Sequence, residues 1–160
     1  MRTDPTERAA RATKTVDIDV PPDALWRALT EPRQVATWMS DDEFALDTAW
    51  RVGGPIAFRG RLHGKIPFEN TGTVLAFEPP RRLRYTHYSS LSRRAFADVP
   101  EHRVTLDFAL APSPTGTTLT LALENLFDDA VRGHLDFYWE MTLTVLKRWC
   151  ETGTTAAPHP

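Results

Sequence analysis

A chain of 160 residues with a formal net charge of −2 projects no strong field of either sign, which sets aside nucleic acid and anionic membrane as partners. Its 41% hydrophobic content supports a sizeable core at the length of one domain. One cysteine, Cys150, excludes an intrachain disulfide framework and fits a reducing compartment.

Residues 1–12 read as a flexible N-terminal arm, rich in Arg, Thr, Asp and Glu. They lack the apolar stretch of a signal peptide, and no later run is long enough to span a bilayer, so a cytoplasmic protein without membrane insertion is expected. One domain is expected over residues 13–152, followed by a flexible tail over 153–160. Strand alternation begins at Thr15, with Val16, Ile18 and Val20 on one face. Pro21-Pro22-Asp23 stops that strand and starts a short helix bearing Ala24, Leu25, Ala28 and Leu29. Thr30-Glu31-Pro32 restarts the chain into a second short helix with Val35, Trp38 and Met39.

From Phe44 the period returns to two. Gly53-Gly54-Pro55 marks a turn, and Ile56, Phe58 and Leu62 then share a face. Gly64 to Asn70 reads as a polar connection, Thr71 to Phe77 as a strand, and Glu78-Pro79-Pro80 as a turn. Leu83, Tyr85 and His87 line one face of the next strand, and Ser89 to Pro100 is a loop. Val104, Leu106, Phe108 and Leu110 alternate cleanly, as do Leu119, Leu121 and Leu123 beyond Pro112–Gly116, which makes an antiparallel hairpin. A helix is predicted from Asp129 to Glu151, with Val131, Leu135, Trp139, Thr142, Leu146 and Trp149 at three- and four-residue spacing and Gly153 as its stop. The order predicts an α+β domain of the helix-grip kind: a curved antiparallel sheet of six to seven strands wrapped around a long C-terminal helix.

Several segments carry a family likeness. They are Trp38 after Pro32-Arg33-Gln34, Trp50 to Gly54 leading into Phe58, and Gly72 to Leu83. Others are Ser89 to Ser92 before Val99-Pro100-Glu101, Thr115 to Leu119, and Trp139 with Leu143, Leu146 and Lys147. Together, in this order, they resemble proteins related to the activator of heat-shock-protein-90 ATPase. The resemblance implies the helix-grip fold shared with START lipid-transfer domains and birch-pollen-allergen proteins. That superfamily commonly holds hydrophobic ligands between sheet and helix.

Tyr85 and His87 stand on a face otherwise occupied by Leu, Phe and Val. A polar group on such a face must find a partner, and a ligand's polar end is one. Trp38, Met39, Trp50, Phe58, Phe108, Tyr138 and Trp139 are the candidate walls of an apolar pocket around them. The leading reading is binding or sensing of an apolar or amphipathic small molecule in an internal cavity. An alternative is a cyclase- or dehydratase-type enzyme using the same cavity, with His87 or Glu140 moving the proton. A third is an interaction module, either a chaperone cofactor or a partner of a regulator, which would expose an apolar patch. A homodimer is compatible with each. The histidines His63, His87, His102, His134 and His159 show no helical metal-ligand spacing, so neither a metal nor a cofactor is expected.

Overall fold

A computed structural model describes residues 10–155 of the chain. Seven strands form one antiparallel sheet: β1 (Ala12–Ile18), β2 (Phe44–Thr48), β3 (Pro55–Leu62), β4 (Ile66–Glu78), β5 (Arg82–Ser89), β6 (Val104–Ser113) and β7 (Gly116–Glu124). Their spatial order is β1-β7-β6-β5-β4-β3-β2. The three helices are α1 (Pro22–Thr30), α2 (Pro32–Trp38) and α3 (Asp129–Thr152). This is the expected helix-grip architecture, with two short helices after the first strand and one long helix at the end.

The periodicity explains the layers. Along β6 and β7 every second residue is buried, and Leu106, Phe108, Leu119, Leu121 and Leu123 face inward against the helices. The opposite face carries Arg82 and Arg84 on Asp107, with Arg84 also reaching Glu124, so it remains in water. Helix α3 lays Leu135, Trp139, Leu143 and Leu146 into the concave side. Its ends follow the expected chemistry. Asp128 accepts from the backbone N–H groups of Ala130 and Val131, and Gly153 closes the helix in the left-handed conformation at φ 74°.

Three boundaries differ from the sequence reading. First, β1 starts at Ala12, and the carbonyl of Ala10 already accepts from the N–H of Leu126, so the end of the expected arm is anchored. Residues 1–9 and 156–160, including His159, lie outside the described residues. Second, β4 begins at Ile66, not Thr71, because Ile66 to Asn70 pair with β3 down to a tight hairpin at Leu62. Arg59, placed on that pair, bonds both Glu69 and Asp47 across the sheet. Third, the loop after β5 contains two short 3₁₀ turns, Ser90–Ser92 and Pro100–His102. Within β4, Gly72 marks a close approach: a Cβ there would sit 1.7 Å from the carbonyl oxygen of Thr86.

Polar ties fix α3 along the β1 edge. The Lys14 ammonium bonds Glu140 at 2.7 Å and Asp136 at 3.0 Å, with only 12% of its side chain exposed. Burial pulls the Lys14 pKa down, and the two carboxylates outweigh it, so the net shift is upward. Farther along, Lys147 donates to the carbonyl of Asp17, and Glu151 accepts from the N–H of Asp19. The carboxylate partners of Lys14 are largely solvated, which limits the worth of this contact. Lys14→Met is expected to lower stability by about 1 kcal/mol, read as a reduced urea midpoint at unchanged slope.

Candidate functional site

Inner-face positions of β3, β5 and β6 meet the inner face of α3. The chain of aromatic contacts is continuous. Phe58 lies 5.7 Å from Tyr85, Tyr85 6.0 Å from Phe108, and Phe108 5.7 Å from Trp139 between ring centroids. Tyr138 stands edge-on to Trp139 at 5.4 Å and stacks with His134 at 6.2 Å. Tyr138 lies near enough to Tyr85, and the exposed His134 near enough to His87, for each to bear on the other's charge.

The electrostatics follow from this enclosure. Burial holds the Tyr85 phenol above its usual value, and the neighbouring Tyr138 adds to the effect. Burial likewise raises Tyr138, against a polar contact to Thr142 that works the other way. His87 is pushed down to about 4, first by burial and then by His134. It is therefore neutral at physiological pH. Neither the Tyr85 hydroxyl nor the His87 ring makes a hydrogen bond among the described residues, whereas Tyr88, one position along, donates to the carbonyl of Phe96. Nearby, the Oδ1 of Asn70 is buried on the same inner face without a partner.

The structure brings together Trp38, Met39, Phe58, Tyr85, Phe108 and Trp139, joined by Leu29, Val35 and Leu83. The space they enclose is only about 10 Å³, room for one water at most. The expected gap between sheet and helix is thus closed, because the indoles of Trp38 and Trp139 and the rings of Phe58 and Phe108 fill it. Trp38 is held there by donating from Nε1 to the carbonyl of Ala28 at 2.7 Å.

Other expected positions fall elsewhere. Trp50 does not line the void; it stacks on Phe77 at 5.3 Å and donates to the carbonyl of Thr30, closing one end of the core. Tyr138 is 36% exposed at the rim. Glu140 has 72% of its side chain in solvent and is bound to Lys14, one helical step away from the inward Trp139. That placement removes it as a proton-transfer group for the interior. His134 was not among the expected site residues; its four-residue spacing from Tyr138 was the available signal.

A larger depression lies outside the core. Ala24, Arg27, Ala28, Gln34, Trp149 and Cys150 line an open groove of about 330 Å³ between α1 and the end of α3. The thiol there is pushed up to about 12 by burial and then by Glu151, so it stays protonated and inert. Among the described residues no cluster of His, Cys, Asp and Glu is arranged to hold a metal ion, and no helix is long and apolar enough to cross a membrane.

Comparison with solved structures places this geometry among known folds. The protein ChR145 of Cytophaga hutchinsonii superposes with a TM-score of 0.74 at 25% identity, covering 91% of this chain and 97% of that one. An AHSA1-like protein from Aeromonas hydrophila gives 0.71 at 20% identity, with 94% and 98% covered. The Aha1 dimer from Colwellia psychrerythraea gives 0.69 at 20% identity, with 89% and 97% covered. No curated protein sequence matches the chain. The family model described as Activator of Hsp90 ATPase homolog 1-like protein matches residues 19–151. With that match spanning most of its length, the chain belongs to the Activator of Hsp90 ATPase homolog 1-like family.

Proposed function

We propose that the protein binds a small apolar or amphipathic molecule between sheet and α3, with Tyr85 and His87 meeting its polar end. The observation that carries this reading is the pair of inner-face polar groups left without protein hydrogen bonds in an otherwise aromatic shell. Such groups gain from a partner that takes up their unused hydrogen-bonding capacity. The fold itself, which commonly binds hydrophobic ligands, supports the same reading. A drug-sized ligand needs roughly 300 Å³, so the closed void of about 10 Å³ excludes lock-and-key uptake. Binding is coupled to displacement of side chains, with unbranched Met39 the most adaptable wall.

The test is titration with a naphthalene-sulfonate dye, followed by native mass spectrometry of the untreated protein for a retained compound. One dye per folded chain is expected, with binding lost in Met39→Trp, which fills the remaining space while the far-UV spectrum is kept. No saturable binding to the folded wild type, or binding unchanged in Met39→Trp, would defeat the reading.

Self-association is a second reading with its own observation. Phe137 is 70% exposed and Met141 56% exposed on α3. Apolar side chains so displayed mark interaction surfaces, and a neighbour of the same fold is described as a dimer.

A further inference from the structure

The exposed face of α3 carries a pattern that is complementary to itself. Ala130, Gly133, Phe137, Met141 and Thr144 recur at three- and four-residue spacing, and all are exposed. No charged side chain interrupts this stripe. The adjacent acids, Asp136 and Glu140, are turned to Lys14. Gly133 is the odd member: a Cβ there would meet nothing within 4 Å, so nothing inside the fold calls for a glycine. In a helix interior glycine weakens the helix relative to alanine.

Building on the self-association reading, we propose that a second copy of this chain docks here, α3 against α3, antiparallel about a twofold axis through Phe137. Residues equally far on either side of Phe137 then share a layer. The bulky Met141 of one copy lies beside the vacant Gly133 of the other, and Thr144 beside Ala130, with the two phenyl rings in contact at the centre. The ends are complementary in charge. Among the described residues Asp129 makes no ion pair, and the guanidinium of Arg148 bonds only the carbonyl of Thr155 at 3.1 Å. The antiparallel register brings each Arg148 within reach of the partner's N-terminal turn, where Asp129 sits. A parallel pair does the opposite: it stacks glycine on glycine, leaving a gap, and sets Asp129 against Asp129. One helix face buries less than the roughly 800 Å² per partner of a standard interface, so the dimer is a weak one.

Sedimentation of the full chain over a concentration series up to about 0.5 mM is expected to move from monomer to dimer. Phe137→Glu sits at the symmetry axis and places two carboxylates together. It is expected to weaken the dimer at least 30-fold, which is roughly what loss of one interface anchor costs. In a Cys150→Ser background, Phe137→Cys forms a disulfide-linked dimer on mild oxidation. Thr144→Cys does not, because the two copies of that position lie about 21 Å apart along the antiparallel helices. A wild type that stays monomeric throughout would overturn both the self-association reading and this interface. A wild-type dimer that survives Phe137→Glu, or that cross-links equally at both positions, would overturn this interface alone.

Discussion

Trp139→Ala is expected to lower stability by about 3–5 kcal/mol and to give the protein a binding site for benzene-sized molecules. Trp139 is 4% exposed, packs edge-on against Phe108 at 5.7 Å, and borders the small void beside Phe58 and Tyr85. Removing the indole takes away its burial energy and leaves a chamber on the order of 100 Å³ that neighbours on a rigid sheet refill only in part. Urea unfolding measures the first effect. The second is read by benzene-induced shifts of core methyl resonances or by xenon in a pressurised crystal. A loss below about 1 kcal/mol with no probe uptake would mean that α3 collapses onto the sheet. Dye affinity should rise in the same variant if the ligand site is this interior, because less displacement is then needed to admit a guest.

His87 makes stability depend on mild acid. Its folded-state pKa is about 4, below the value of 6.5 expected in the unfolded chain. Between those two pH values the unfolded chain binds a proton that the folded chain refuses, so stability rises with pH in this window. The contribution is fully present above pH 6.5 and is lost as pH falls toward 4. The shift sets a ceiling of about 3 kcal/mol, and roughly 1–2 kcal/mol is expected because the residue is not sealed from solvent. Asp107, lowered by Arg82 and Arg84 against its burial, and Glu151, lowered first by Lys147, also lose stability in acid. The difference between wild type and His87→Gln isolates the histidine. Its urea midpoint should approach and then pass that of wild type as pH falls from 7 to 4. Parallel curves would show that the imidazole protonates in place.

Much of the architecture was legible because burial imposes a period. The seven inward apolar residues of β6 and β7 alternate with outward ones, and α3 repeats its apolar positions over six turns. The start of β4 was hidden because Ile66-Pro67-Phe68-Glu69-Asn70 mixes apolar and polar residues without alternation, and none of the five is fully buried. At the site, Tyr85 and His87 could be found from alternation alone. Trp50 could not be told from a cavity wall, since its role depends on a backbone bend at φ 52° that aims the indole at Thr30. Glu140 was separable from the interior by its helical angle from Trp139, a distinction adjacency in sequence conceals. The size of the void depends on how four large rings interlock, and residue types do not encode that.

Among the described residues most polar ties that hold the long helix run to β1. Lys14, the carbonyl of Asp17 and the N–H of Asp19 grip it along β1, and Gln34 of α2 takes the Trp149 indole at 3.3 Å. Toward β5 and β6 it rests on side-chain packing alone among the described residues. A helix fastened mainly along one margin is expected to open first at the other. That other margin is the one that carries Tyr85 and His87.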